Sequence, residues 1–572
     1  MKELSDQQRV LIAFALMLII LFGWSKLYKP PAPPPGTAQK PAQISTATLA
    51  TGTATPAAPE AAAPAVESIV AAPAGAIQAS EEQPIVIESS LYRVEMSNRG
   101  GVVRSWKLKK YLNDEKPPQP LELVNISAAQ QIGAWPLSFS LDDSAAELKA
   151  NTSLYEVSTS SHAGDTLKAP AEITLHWSDG HLDFVKRLKF EESYIVDLSA
   201  TASVDGHLLP AAIGWRGGFG DVAVEKQSQG VGVFYNENGK LNVLQLKKLG
   251  TPDHQEIRFE QPGNYAYAGI EDQFFTAAFL PNNGTLSLWH WVEQHEFDDN
   301  GKPGNEPEAE MAAGSAIPQA LNMRMFVGPK DIHILAQVRP PLDDLVQFGW
   351  YGLIAKPLLE VLQWTHKYIP NWGWAIVVLT IVINMLLFPL KVKNWRSMKN
   401  MQRVGPEVKV IQDRYKKYSF NDPRKRKMNE EIMAIYNREG INPLGSCLPM
   451  LVQLPFLFAF YRMLSGTIEL RHAPWFGWIH DLSAHDPYYI LPIVMTITMF
   501  VMQKMTPMPA TDQAQQKMMT YMPLFFGFIF FRLSAGLNLY YFATNLVGIV
   551  QQYYLVKTDP LNAKAPANNK RK

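Results

Sequence analysis

The stretch Trp374-Ala375-Ile376-Val377-Val378-Leu379-Thr380-Ile381-Val382-Ile383-Asn384-Met385-Leu386-Leu387-Phe388-Pro389-Leu390 decides how this chain is read. It carries no charge, and its length falls in the range of a membrane-spanning helix. Two polar side chains interrupt it, Thr380 and Asn384, and a spacing of four puts them on one helix face. A polar group left unsatisfied in hydrocarbon costs several kcal/mol. That face therefore points at other polar groups or at water, not at lipid.

Working outward, four further apolar segments follow: Leu448–Leu464, Tyr488–Met502, Met522–Phe531 and Leu537–Val556. The fourth of the five is too short to span without its flanks. Polar residues recur in them too: Tyr541, Asn545, Gly548 and Gln552 at i, i+4, i+7 and i+11, Gln453 on a second helix, and Thr496 with Gln503 on a third. One such residue serves as packing glue between helices. Stripes on several helices favour a shared, hydrated cavity. At the other end Val10–Ser25 is uncharged, bracketed by Arg9 and Lys26, and followed by no small-residue cleavage site. With Trp24, Lys26 and Tyr28 as an interfacial anchor, residues 1–29 read as an uncleaved signal-anchor helix and bring the expected spans to six.

The 53 basic and 53 acidic residues cancel, yet they are segregated. Ile85–Arg339 holds 33 acidic and 22 basic side chains, whereas Lys391–Ser446 holds 14 basic and 6 acidic. Short loops rich in Lys and Arg stay in the cytoplasm. Both termini are then expected inside, the tail ending in Lys570-Arg571-Lys572, and the acidic region outside in a Gram-negative-type periplasm.

Residues 30–84 are rich in Pro, Ala and Thr and read as an extended linker, unable to bury enough surface to offset chain entropy. From 85 to 336 short alternating runs such as Tyr92–Met96 and Glu172–Trp177, separated by Gly-Gly, Asp-Gly and Asn-Gly turns, predict one large all-β sandwich. Residues 337–370 read as an amphipathic interfacial helix over Pro341–Tyr368, and 371–390 as the second transmembrane helix. The basic loop 391–446 reads as a helical hairpin: Met401, Val404, Val408, Ile411, Tyr415 and Tyr418 recur at helical spacing, Asn421-Asp422-Pro423 turns, and Met428, Ile432, Ile435 and Tyr436 recur again. Its outer faces carry Arg403, Lys409, Arg414, Lys416, Lys417, Arg424, Lys425, Arg426 and Lys427. With the tail residues Lys570, Arg571 and Lys572 they suit acidic lipid head groups or a charged docking partner such as ribosomal RNA. Four further transmembrane helices over 447–556 and a basic tail over 557–572 complete the chain.

The lone Cys447 excludes an intramolecular disulfide and a cysteine zinc cluster. No nucleophile elbow, P-loop or zincin motif is present, so no catalytic residue is named. The histidines of the β region, His162, His176, His181, His207, His254, His290, His295 and His333, lack metal-ligand spacing, so no metal site is expected. The near absence of charge within the spans disfavours an ion pump.

The residues resemble the YidC family of membrane protein insertases, part of the wider group with the mitochondrial Oxa and chloroplast Alb proteins. The likeness runs through Ile354–Leu358, Asn371–Trp374, Phe388–Leu390, Asn442–Pro449, Gln453–Pro455, Trp478–Ser483, Asp486–Pro492 and Gly536–Tyr541, with weaker support from Asn98–Gly101 and Phe274–Ala278. The resemblance implies five core spans around a hydrophilic groove, and a periplasmic β domain similar in fold to sugar mutarotases. It implies a client helix sliding along spans two and six, at Thr380 and Tyr541. It also implies insertion and chaperoning of nascent inner-membrane proteins, alone or with the Sec translocon, with the ribosome, the signal-recognition-particle pathway and the lipid bilayer as partners and no cofactor. One position departs: where bacterial members usually carry a positive groove side chain, this sequence has Asn384. Arg462 and Arg532 are candidates for a relocated charge, although both lie near the expected outer ends of their spans and suit snorkelling. Two rival readings are a polytopic transporter or channel, for which no inverted repeat is found, and a membrane-tethered carbohydrate-binding or epimerase-like protein.

Overall fold

The computed structural model describes residues 75–159, 166–221, 232–246, 259–261, 263, 265–282, 286–299, 302–418, 422–441, 448–506 and 513–558. The expected anchor 1–29, most of the linker, the segment 442–447 and the tail residues Lys570, Arg571 and Lys572 lie outside the described residues.

Alternation of apolar side chains makes strands from Pro84 to Pro329. In Leu182–Phe190 every second side chain, Leu182, Phe184, Lys186, Leu188 and Phe190, is buried, as the two-residue period of a strand requires. This strand lies in a ten-stranded sheet whose middle runs Phe275–Pro281, Leu321–Pro329, Ile195–Val204, Leu182–Phe190, Ala171–Ser178, each pair antiparallel. A five-stranded sheet contains Tyr92–Ser97 and Val102–Leu112, and another is built on the long hairpin Ser287–Asp299/Lys302–Ser315. One continuous apolar core joins the sheets, with Trp106 at 6.2 Å from Trp215 and 5.7 Å from Tyr92 between ring centroids. Helices α1 (Ile126–Ile132), α2 (Ser144–Thr152) and α3 (Ile332–Gln337) flank the strands. The side chains of Asn125, Asp143 and Asp331 accept hydrogen bonds from their first-turn N–H groups.

The Asn98–Gly101 stretch has a structural reason. Gly100 adopts φ +72°, and a Cβ there would lie 2.2 Å from the Asn151 carbonyl oxygen. The Lys186 ammonium, wholly buried, donates to the carbonyls of Gly100 (2.8 Å), Gly101 (3.1 Å) and Leu137 (2.6 Å). Burial away from water pulls its pKa down to about 7.

The expected helix over Pro341–Tyr368 is shorter than its periodicity. Two 3-10 turns, Asp343–Leu345 and Gly349–Tyr351, precede helix α4 (Gly352–Tyr368). The Pro340-Pro341 pair and Gly349, at φ +55°, keep the earlier residues out of a helix. Helix α4 buries Ala355, Leu358, Leu359 and Leu362 and leaves Leu353, Trp364 and Tyr368 exposed.

The expected second span is broken. Helix α5 (Trp372–Leu386) ends at Leu387, and α6 (Phe388–Arg403) continues at a 56° bend, because Pro389 has no N–H for the preceding turn. Then come α7 (Gly405–Arg414), α8 (Pro423–Arg438), α9 (Leu448–Gly466), α10 (Ile490–Met505), α11 (Gln513–Phe530) and α12 (Ala535–Thr558). Among the described residues no single helix is long and apolar enough to cross a membrane, and the bent pair α5–α6 is the one combination that meets both criteria. Polar residues set into otherwise apolar helices, such as Asn538, Asn545, Gln551 and Gln552 on α12, are what lower the hydropathy. Helix α12 packs against α5 and α10, and α11 against α10.

Candidate functional site

Thr380 and Asn384 do share a face of α5, and that face meets α12. Thr380 is fully buried and its hydroxyl donates to the Ile376 carbonyl at 2.7 Å. Asn384 Nδ2 donates to the Thr380 carbonyl at 2.8 Å, leaving its Oδ1 to accept from Lys391 Nζ at 2.7 Å. The same ammonium donates to Gln551 Oε1 at 3.1 Å, and Gln551 Nε2 donates to the Asn384 carbonyl at 3.1 Å. A closed ring of hydrogen bonds thus ties α5 and α6 to α12. The cation's hydrogen-bond partners are neutral amide oxygens, and no carboxylate among the described residues pairs with it.

Sequence reading missed both Lys391 and Gln551. Lys391 had been assigned to the basic loop, yet the helix break at Leu387 turns the chain and brings its side chain back to Asn384. Gln551 lies next to the recognised stripe on α12, one residue short of Gln552. The signal that could have found Lys391 is Pro389, a helix-breaking residue two positions before it, at which the chain bends back towards Asn384. Of the two candidates for a relocated charge, Arg462 is half-buried on α9 and Arg532 is exposed in the turn between α11 and α12.

The stripe Asn545, Gly548, Gln552 faces α10. Asn545 Nδ2 donates to the Met495 carbonyl at 3.3 Å and to Thr498 Oγ1 at 3.4 Å, and Gln552 Nε2 donates to the Met505 carbonyl at 3.1 Å. A Cβ on Gly548 would come within 2.8 Å of Met502 Sδ. The two amide side chains therefore fasten the helices together, and Gly548 lets them approach closely. Tyr541 stands edge-on to Phe530 at 4.7 Å. Thr496 bonds the Pro492 carbonyl on its own helix and abuts Gly527 of α11. Gln503 is half-buried on α10, and the side chain of Gln453, on α9, lies outside the described residues.

Elsewhere along the same helices, α5 and α12 flank an apolar cavity of about 520 Å³ that is open to the surface, with Trp374, Ile381 and Leu546 exposed. Trp374, Val377 and Ile381 line it from α5 and Phe542 and Leu546 from α12, with Trp475 of the α9–α10 connection at one end. A buried polar cluster, completed by Lys391 of α6, and an apolar slot are thus built on the same pair of helices.

Helices α7 and α8 pack against each other after α6. Met401, Val404, Val408, Tyr436 and Ile441 make a small core with Ile432 and Ile435, and the Asp422 side chain caps α8. The basic residues then divide. Arg403 pairs with Glu439 at 2.7 Å and Arg414 with Glu431 at 3.2 Å, so both close the hairpin on itself. Arg424 bonds Asp422 at 2.8 Å and lies 3.9 Å over the Tyr418 ring, which Lys417 also approaches at 5.4 Å. Lys425 is half-buried against Met428, while Lys409, Lys416, Arg426 and Lys427 are exposed and form no ion pair among the described residues.

Two family models match the chain in succession, a YidC periplasmic domain over residues 84–361 and a 60Kd inner membrane protein over residues 364–562. A membrane protein insertase YidC of Geobacter metallireducens is 32% identical over 96% of this chain and 98% of its own length. One of Campylobacter jejuni is 47% identical over 41% of this chain and 43% of its own. The crystal structure of an active YidC insertase with its first transmembrane domain resolved matches 84% of this chain and 94% of that chain at 16% identity and a TM-score of 0.34.

Proposed function

The chain belongs to the YidC family of membrane protein insertases, and from that premise we propose how its own residues receive a client. The protein is a membrane protein insertase of Gram-negative type with a β-rich periplasmic domain. In our reading the client's polar end enters beside Asn384, Lys391 and Gln551 while its apolar segment moves along α5 and α12 into lipid. The observation that carries this is the Lys391 ammonium, held by two neutral amides of α5 and α12, the helices that also line the apolar cavity. A cation placed so keeps its attraction for an acidic client tail, because no fixed carboxylate competes. Hydrophobic transfer of the client's apolar segment supplies the driving force, and no nucleotide is required.

Thr380, Asn384, Gln453, Thr496, Gln503, Tyr541 and Asn545 complete the proposed groove. Thr380 and Asn545 act there chiefly by holding helices together. The topology we propose has six spans, both termini in the cytoplasm and the β domain in the periplasm. It follows from the charge segregation of the sequence. The exposed hairpin cations then face the cytoplasm, where they suit the ribosome, and the Sec translocon is the proposed partner for larger clients.

Depleting the protein from cells and following newly made single-span proteins by protease accessibility tests the reading. Acidic-tailed clients should stay protected from external protease; normal insertion on depletion would overturn it.

A further inference from the structure

We propose that the long hairpin of the β domain binds one divalent transition-metal cation through His295, Glu306 and Glu308. The strands Ser287–Asp299 and Lys302–Ser315 pair so that His295 stands opposite Glu306 and Glu293 opposite Glu308. Strand alternation puts His295, Glu306 and Glu308 on one face. Each offers a ligand atom, and the three atoms all lie within 4.8 Å of one another. Ligands around a tetrahedral zinc ion stand about 3.3 Å apart, from metal–ligand distances near 2.0–2.1 Å, a closure within reach of small side-chain rotations.

The second observation is independent of the acidic cluster. His295 is 5% exposed, and its Nδ1 is buried without a hydrogen-bond partner. That atom points at Glu308, 3.8 Å from Oε1, too far for a hydrogen bond and suited to a shared ion between them. A buried ring nitrogen with no partner is costly, and a metal would satisfy it. The surroundings are arranged to hold Glu308 still: Asn125 Nδ2 donates to Oε1 at 2.7 Å, and Gly218, at φ +86°, lies so close that a Cβ would fall 2.7 Å from Oε2. A donor fixing a ligating carboxylate from behind is the usual support of a metal site. The neighbouring Glu310 is engaged by Arg216 at 2.9 Å and by the Gly217 N–H at 2.8 Å and lies outside the cluster of three. One imidazole and two carboxylates select zinc, manganese or iron(II) over calcium, which takes oxygen ligands only. Bound there, the ion would clamp the hairpin to α1 and the loop at Gly217-Gly218.

The test uses the full chain in detergent, purified through a tag free of histidine and stripped with chelator. Titration with zinc chloride, followed calorimetrically, should show one ion per chain, and cobalt(II) should give visible d–d absorption. His295→Ala should weaken zinc binding about tenfold or more, and Glu306→Gln, at a half-buried position, should do likewise with near-UV dichroism unchanged. His207→Ala, on an exposed strand, should bind as the parent does. Absence of stoichiometric zinc uptake by the parent overturns the proposal. So does uptake that survives in Glu306→Gln, or displacement of zinc by equimolar calcium; if His295→Ala fails to fold, Glu306→Gln decides.

Discussion

At the residue scale, Lys391 is the position on which specificity turns. A unit charge about 4–8 Å from a client carboxylate is worth about 2–4 kcal/mol at an effective dielectric near 20. Lys391→Gln keeps a hydrogen-bonding side chain next to Asn384 and Gln551 but removes that attraction. Insertion of acidic-tailed clients should fall about tenfold while neutral-tailed clients insert normally, read by protease protection of pulse-labelled chains; an equal loss for both would assign Lys391 to helix packing alone. Lys186 gives a second prediction, in the β domain. Burial holds its folded pKa near 7, below the ordinary lysine value of 10.5. Between those values the unfolded chain binds the proton and the folded one does not, so stability rises with pH across the window and is flat below it. From pH 7 to 9 the contribution is on the order of 2 kcal/mol, measured as the urea midpoint of tryptophan fluorescence. Lys186→Met should abolish that slope, and at every pH lower stability by about 2 kcal/mol or more by stranding the carbonyls of Gly100, Gly101 and Leu137. Neither lysine was legible as special. Lys391 looked like the first residue of a basic loop, Lys186 like an alternating strand residue, and only the three-dimensional neighbours give each its role. His295 and Glu306 show the same limit, since eleven positions of chain and a turn separate two side chains that the strand register places opposite each other.

At the scale of elements, periodicity was informative wherever one face of a helix or strand is buried. The hairpin core of Met401, Val404, Val408 and Tyr436 and the strands at Tyr92–Ser97 and Ala171–Ser178 follow directly from spacing. Breaks were less legible, because a proline within an apolar run can be absorbed or can bend the chain. Pro357 is carried inside α4 and Pro523 inside α11, whereas Pro389 accompanies the 56° bend between α5 and α6. The polar stripe of α12 was legible as a stripe, but spacing cannot say which neighbour it faces, and most of it turns to α10. The hairpin's charges sort by the same logic into those that hold it and those it presents. Exposed pairs such as Arg403–Glu439 contribute at most about 1 kcal/mol, so replacing Arg403 and Arg414 by Ala should leave docking nearly intact. Reversing Lys409, Lys416, Arg426 and Lys427 to Glu together should reduce co-sedimentation with ribosomes about tenfold and make the remainder less dependent on salt. Equal binding by both variants would place the docking surface elsewhere.

At the scale of the whole molecule, the β domain and the helical half share, besides a continuous apolar core, a buried ion pair among the described residues. Arg471, in the connection between α9 and α10, donates to Asp221 from Nη2 at 2.5 Å and Nε at 3.1 Å and to the Leu112 carbonyl from Nη1 at 2.8 Å. Both charged side chains are almost fully covered, at 4% and 3% exposure, and the guanidinium lies 5.6 Å over the Phe275 ring. Asp272 accepts the Asp221 N–H at 2.7 Å, and Gln273 Nε2 donates to the Ser465 carbonyl at 2.7 Å, so the Asp272-Gln273 corner meets the helical half at the same place. By contrast the His472–Asp114 contact at 2.8 Å is open to water on its acidic side and adds little. Because Arg471 makes two bonds to the single oxygen Oδ2 of Asp221 and a backbone bond in a desolvated setting, removing it leaves Asp221 without the guanidinium and costs about 3–5 kcal/mol. One apolar cluster runs from the strands on into α4, α5, α9 and α12, so that cost should appear as local opening at the Arg471 seam, not as unfolding of either half. Arg471→Ala should speed amide hydrogen exchange in Thr467–Ala473 and around Leu112 by about a hundredfold or more, while Leu182–Phe190 in the β core exchanges as before. Arg471→Lys keeps the charge but not the fork geometry and should fall between the two. Unchanged exchange at Thr467–Ala473 in Arg471→Ala would mean that the apolar contacts between the halves suffice, and that this pair sets their register without holding them together.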